Sequence, residues 1–281
     1  MIRDITIGQF FPGDSFIHKL DARAKIVITV LYIIALFMCK NFFSLSLMLL
    51  FSVVCVFISR ISPKLIWKSL KTIIFIVLFT SALQIIYNNR GEVLWKPFES
   101  REFAVTTGGI YSAVFLAVRI IALILLSSLL TYTTSPTMLT DALERLLSPL
   151  KVFGVKVHSL AMMMTIALRF IPTLINEIDI IMSAQKARGA KLDNGSVGER
   201  MKAMISVFIP LFVSAFRRAA ELAVAMECRC YTDGASRTRL KVMKMGYRDA
   251  VAFGLLSLVI AGALFTSYYG FSSMFIFEPV M

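Results

Sequence analysis

The run GGIYSAVFLAVRIIALILLSSLLT (residues 108–131) carries a single charge, Arg119, and is long enough for the roughly 17–25 residues that a bilayer crossing needs. Working outward from it, four more apolar runs read the same way: residues 25–39, 44–58, 70–87 and 249–271. The first two are short. The break at 40–44 between them predicts a tight helical hairpin. The composition agrees, with 58% hydrophobic residues and a mean hydropathy of +0.78, against about 45–50% apolar residues in an ordinary soluble chain. The sequence therefore predicts an all-α, polytopic membrane protein with about five transmembrane helices.

Its 30 Lys and Arg exceed its 17 Asp and Glu, a formal charge of +13. In a soluble protein that imbalance would suggest nucleic acid; here it marks the cytoplasmic face of a membrane. With the N-terminus inside, segments 1–25, 59–71 and 132–248 hold nearly all the basic residues. Only Lys40, Arg90, Lys96 and Arg101 fall outside, and Arg119 falls within a span. A charge at that depth is costly unless it faces the bundle or water, so Arg119 is expected to be structural.

Several chemistries are excluded by missing residues. No GxxxxGK[ST] phosphate loop and no HExxH are present, and the two histidines are His18 and His158. Cys39 and Cys55 lie in apolar runs and are expected to pack as small hydrophobes. Cys228 and Cys230 make a half-built metal site at best, having no histidine nearby. No metal site, cofactor or nucleic-acid partner is expected of this chain. The polar opening MIRDITIGQFFPGDS has no apolar core of the kind a cleaved signal carries. Asp21, followed by Arg23 and Lys25, reads as a helix entry, and His18 as a structural hydrogen-bonding residue.

Residues 132–248 are neither a span nor an ordinary polar domain. Ser135-Pro136 precedes a short amphipathic helix that Ser148-Pro149 ends. Residues 157–188 then keep an apolar helical stripe through Leu160, Met164, Ile171, Leu174, Ile178 and Ile181. The opposite face carries Arg169, Asn176, Glu177 and Lys186. A turn-rich loop with Asp193-Asn194-Gly195 follows. A second stripe runs through Met201, Met204, Phe208, Phe212, Ala219 and Met226, opposite Glu199, Lys202, Arg217, Arg218 and Glu221. Arg217 and Arg218 are placed to pair with Glu221 along one helix surface. Pro172 and Pro210 fall inside the two helices and are candidate hinges. Three parts are expected: 1–131 with four spans, 132–247 with the long amphipathic helices, and 248–281 with a final span and tail.

Each long helix ends on an arginine between small residues, Ala187-Arg188-Gly189 and Cys228-Arg229-Cys230. One explanation is local. A cation at a helix C-terminus gains up to about 1 kcal/mol from the helix dipole, and Gly189 is an ordinary residue after a helix end. The other looks outward. If the helices run back on each other, the two tips lie roughly 40 Å apart, and a guanidinium fork flanked by small residues can enter a groove and bind carboxylates or carbonyls.

At these residues the chain resembles a known family. FPGDSFIHKLDARAK (residues 11–25) is similar to the N-terminal signature of the T component of energy-coupling factor (ECF) transporters, the EcfT/CbiQ family. TTSPTMLTDALERLLSPLK (133–151) resembles the segment before that family's coupling helices. AMMMTIALRFIPTLINEIDIIMSAQKARGA (161–190) and PLFVSAFRRAAELAVAMECRCYTDGASRTRLK (210–241) resemble the coupling helices themselves. The resemblance is to members shared among several S components.

The resemblance implies a non-catalytic membrane subunit that joins two ABC-type ATPases to one or more substrate-binding S components, for uptake of vitamins or micronutrients. ATP and Mg would be used by the ATPases, not by this chain. It also implies ATPase docking by Ala187, Arg188 and Gly189 and by Cys228, Arg229 and Cys230. The second motif departs from Ala-Arg-Gly at both flanks. The implied location is the cell membrane, multi-pass, with the N-terminus and coupling helices cytoplasmic.

Two other classes compete. A self-contained secondary transporter or channel would need charged spans, broken helices or inverted repeats, and only Arg119 charges a span. An intramembrane enzyme would need a Ser/His pair, paired aspartates or HExxH in its spans, and none occurs there.

Overall fold

A computed structural model of the chain describes residues 10–88, 93–95, 105–190, 196–231 and 245–268. Asp193-Asn194-Gly195, Arg90, Lys96, Arg101, residues 232–241 of the resemblance and the end of the last apolar run lie outside these. Among the described residues, eight α-helices carry the fold: α1 (Ala22–Met38), α2 (Phe42–Ser59), α3 (Pro63–Tyr87), α4 (Thr107–Thr133), α5 (Pro136–Leu146), α6 (Val157–Ala187), α7 (Val197–Cys228) and α8 (Tyr247–Tyr268). A 3-10 turn (Ser148–Phe153) follows α5, and a short antiparallel ribbon joins β1 (Val93–Trp95) to β2 (Val105–Thr106) between α3 and α4. By length and composition α2, α3, α4, α6, α7 and α8 could each cross a membrane, with α6 and α7 the least apolar. At 17 residues, α1 is roughly 26 Å long, a little short of the hydrocarbon thickness.

The described residues fall into two compact units, one from 9–142 and 243–281, the other from 143–242. In the first, α1, α2, α4 and α8 enclose a core of Tyr32, Leu36, Leu45, Met48, Leu126 and Leu256. Tyr32 is fully buried and donates its hydroxyl to the Met48 carbonyl at 3.0 Å, so the ring packs without leaving its polar end unpaired. α3 packs along α4 and buries none of its own residues; Phe75 and Leu78 point outward. It starts at Pro63, seven residues before the apolar run, because proline suits the first helical position and Ser62 precedes it. Hydropathy marks the apolar part of a helix, not its first turn.

One end of this bundle is tied by a polar knot. Asp21 caps α1 by accepting from the Arg23 amide at 2.9 Å. Asp249, in the first turn of α8 and buried, accepts from the Asp21 amide at 2.9 Å and the Gly246 amide at 2.8 Å. Lys25 is also buried and donates Nζ to the Thr133 carbonyl at 2.9 Å, with the Thr134 hydroxyl and His18 carbonyl each at 3.4 Å.

Just outside the knot, the FPGDSFIH stretch folds around His18. Nε2 donates to the Phe11 carbonyl at 3.0 Å, so Nδ1 is left to accept from the Ser15 hydroxyl at 2.6 Å. Burial pushes the His18 pKa below its ordinary value, against the opposing pull of the Phe11 carbonyl. Gly13 packs closely there: a Cβ would meet the His18 ring at 3.0–3.3 Å, so a larger residue would push the ring aside by a few tenths of an ångström.

At the other end, Arg119 sits where α1 stops. Its Nη2 donates to the Cys39 carbonyl at 2.9 Å, and its guanidinium lies 4.7 Å from the Phe115 ring centre and 5.8 Å from that of Phe37. Nearby the α1–α2 turn reaches α8, through the Asn41 amide to the Thr266 carbonyl at 3.1 Å. Arg119 is thus structural, as the sequence anticipates, but its partners are a helix-end carbonyl and aromatic rings where the sequence suggests an ion pair or a snorkelling side chain. It lies midway along α4, but at the end of α1. The α3–α4 pair runs on past it, joined by Asn88 to Ser112 at 2.8 Å.

Candidate functional site

The arginine-ended helices form the second unit. Ser196 starts α7 with a full capping box, its side chain paired with the Glu199 amide and the Glu199 carboxylate with the Ser196 amide. Both helices run unbroken through their prolines, Pro172 in α6 and Pro210 in α7, each of which removes one backbone donor. α6 and α7 run antiparallel. Glu177 of α6 accepts from the Ser214 hydroxyl and, at 3.1 Å, from Nε of Arg218 on α7, while Tyr231 donates to the Met162 sulfur at 2.7 Å. Arg218 therefore reaches across to the partly buried carboxylate of Glu177 on α6, where the sequence suggests Glu221 of its own helix. An apolar hollow of about 300 Å³ lies beside this clip, lined by Ile166, Phe170, Leu174, Ala219, Leu222 and Met226.

The tips have one backbone design. After α6, Arg188 takes φ −82°, ψ 6° and Gly189 turns left-handed at φ 86°. After α7, Arg229 takes φ −91°, ψ 15° and Cys230 turns left-handed at φ 51°. In each, two amides fold back: Gly189 to Lys186 and Ala190 to Gln185, both at 3.0 Å; Cys230 to Glu227 at 2.8 Å and Tyr231 to Met226 at 3.0 Å. This paired 5→2 and 6→1 closure is the Schellman motif.

It uses up the last carbonyls and leaves the arginine side chains for other work. Both arginines are exposed, and among the described residues neither guanidinium has a hydrogen bond or ion pair. Because Tyr231 lies against Met162 near the start of α6, the Arg229 tip is set at the opposite end of α6 from Arg188, roughly 40 Å away at 1.5 Å per residue.

Ala187, Gly189, Cys228 and Cys230 are exposed around the arginines, and all four cysteines of the chain are free thiols. The sequence shows the arginines and their small neighbours. It does not show the Glu177–Ser214–Arg218 clip, whose members lie 37 and 41 residues apart, or the left-handed backbone at Cys230. The apolar stripe of α7 faces outward: Phe208, Phe212 and Phe216 form a ladder with ring centres 6.0 and 4.6 Å apart, each more than half exposed. Together the unit presents two bare guanidiniums at its ends and an uncovered apolar face along α7.

Comparison with known proteins places the chain. The profile of the CbiQ family, described as cobalt transport protein, matches residues 13–240. The chain is 48% identical to the energy-coupling factor transporter transmembrane protein EcfT of Clostridium kluyveri, over 92% of this chain and 95% of that protein. It is 47% identical to the protein of the same name from Ruminiclostridium cellulolyticum, over 96% of this chain and all of that protein. To the Bacillus subtilis protein of that name it is 42% identical, over 94% and 98% of the two chains. The chain is a multi-pass membrane protein built on α-helices and belongs to the CbiQ/EcfT family.

Proposed function

We propose that this chain is the transmembrane coupling subunit of an ECF transporter. In this reading it joins two cytoplasmic ABC ATPases to a substrate-binding S component and passes ATP-driven motion between them. The supporting observation is the pair of arginine tips. Two unrelated pieces of sequence, one ending Ala-Arg-Gly and the other Cys-Arg-Cys, close with the same Schellman geometry and each leave a guanidinium bare. Two matching plugs at opposite ends of an antiparallel pair suit a partner with two matching sockets, such as an ATPase dimer. The EcfT names of the relatives support the same assignment.

Mechanically, closure of the ATPases on ATP changes the spacing of their sockets and so moves Arg188 relative to Arg229. Residues 157–228 carry that change through the α6–α7 crossing, with Pro172 and Pro210 as points of bending. The exposed α7 face is then the surface on which the S component rests and is reoriented to release a vitamin or other micronutrient inside. Only a partner that holds the two tips differently in its two states can drive such a change. In this reading the N-terminus and the coupling helices are cytoplasmic, which the basic charge of those segments supports. The chain itself hydrolyses nothing and holds no cofactor in this scheme; ATP and Mg belong to the ATPases.

The test is co-purification of the chain with its ATPase pair, wild type beside Arg188→Glu and Arg229→Glu. Each reversal replaces an attraction with a repulsion at a socket, and the expected result is loss of the complex with the membrane subunit still folded. A complex indifferent to both substitutions discards these residues as the docking tips. Absence of a wild-type complex returns the chain to the class of autonomous transporters.

A further inference from the structure

The bundle of α1, α2, α4 and α8 contains a hollow of about 220 Å³ with almost entirely apolar walls. Its floor is buried: Ile17, Lys25, Thr29, Leu126, Leu129 and Thr133 are each less than a tenth exposed. Its rim is open: Val54 and Ile58 of α2 are 45% and 46% exposed, and Leu255 and Leu258 of α8 are 55% and 71%. The mouth therefore faces sideways, between two helices that are each apolar and long enough to cross a membrane.

The polar groups in the wall are already paired inside the protein. Lys25 Nζ donates to the Thr133 carbonyl, the Thr29 hydroxyl to the Lys25 carbonyl and the Thr133 hydroxyl to the Leu129 carbonyl. Water entering the hollow would find no partners there, and an apolar cavity of this kind stays dry. The medium outside a lateral mouth on a membrane-spanning surface is hydrocarbon.

The mouth also lies at the basic end of the bundle. Arg60 closes α2 two residues after Ile58, exposed, with its backbone left-handed at φ 55°. Arg248 stands one turn before Ala252, a wall residue of α8, and so on the same helix face. Apolar depth below and positive charge at the edge fit a ligand with a hydrocarbon tail and an anionic head. We propose that this hollow is a binding site for one acyl chain of an anionic phospholipid, drawn from the leaflet that meets the basic ends of α2 and α8, with the phosphate held by Arg60 and Arg248. The site is separate from the arginine tips and does not depend on ATPase docking.

The full chain, purified in mild detergent and incubated with phosphatidylglycerol or phosphatidylcholine, is measured by native mass spectrometry and by melting temperature. The expected result is one retained phosphatidylglycerol per chain and a higher melting temperature than with phosphatidylcholine. Val54→Trp plugs the mouth from an exposed position, so folding survives. It is expected to cut lipid retention about tenfold or more, since the indole displaces several methylenes. Arg60→Gln with Arg248→Gln is expected to remove the preference for the anionic lipid while leaving the chain folded. Equal retention by wild type and Val54→Trp overturns the site. Equal binding of both lipids by the wild type, or binding of free fatty acid in place of either, overturns the headgroup assignment.

Discussion

Cys230 holds its backbone at φ 51°, in the region where Gly189 sits without cost at the matching position of the other tip. A residue with a Cβ loses roughly 1–2 kcal/mol there. Cys230→Gly is therefore expected to tighten the end of α7 by about 1 kcal/mol, read as increased hydrogen-exchange protection at residues 229–231. Gly189→Cys should loosen the end of α6 by a similar amount, and since nothing lies within 4 Å of its Cβ position, the cost would be conformational alone. His18 carries a pH dependence of known sign. Its folded pKa lies below the ordinary 6.5 because the ring is partly buried. The stability it contributes is thus present above the ordinary pKa and is lost as pH falls through the folded value. Protection of the 11–20 segment, corrected for intrinsic exchange, should drop as the pH is lowered from neutrality. A His18→Gln variant should show a much smaller drop.

Between elements, Glu177 and Arg218 clip α6 to α7 beside the apolar contacts of the crossing. Glu177 is 18% and Arg218 41% exposed in their side chains, so the pair is partly screened by solvent. A double-mutant cycle with Glu177→Ala and Arg218→Ala is expected to return a coupling energy of about 0.5–1 kcal/mol in unfolding experiments. A coupling near zero would mean that the apolar contacts around the hollow hold the helices by themselves. If the proposed function is right, the same variants should keep ATPase docking, because both tips remain, yet transport less per ATP hydrolysed. The α6–α7 pair also shows where sequence periodicity stops being informative. The stripes through Met204, Phe208 and Phe212 were legible as a helix face, but they read equally as a face to be buried. Only the fold shows that the three point outward.

Across the membrane bundle, the knot of Asp21, Lys25 and Asp249 joins the N-terminal signature to the last helix, 228 residues away. Asp249→Ala removes the acceptor for two backbone amides and takes from the buried Lys25 one of the two carboxylates near it, leaving Asp21. It is expected to cost about 2–3 kcal/mol and to lower the detergent-unfolding midpoint clearly. A midpoint unchanged by the substitution would show that water replaces the carboxylate at both amides. Arg119 makes the same point from the opposite end. Its place in an apolar run was plain from the sequence. That α1 ends against it, with the Cys39 carbonyl as its partner, followed from the length of α1 relative to α4.

The sequence by itself determined that this is a helical membrane protein, where its positive charge gathers, and that two long helices end on arginines. Those features are local. Hydropathy, the positions of proline and glycine, and charge counts act within one helix or one loop, so they survive without knowledge of the neighbours. The tertiary structure decided the rest: the cross-helix partner of Arg218, the carbonyl under Arg119, the buried meeting of Lys25, Asp21 and Asp249, and the lateral hollow beside them. Each depends on groups far apart in the chain being brought within a few ångströms. The pairing of a polar side chain is chosen by which partner the packed helices place in reach, and no spacing along the chain encodes that.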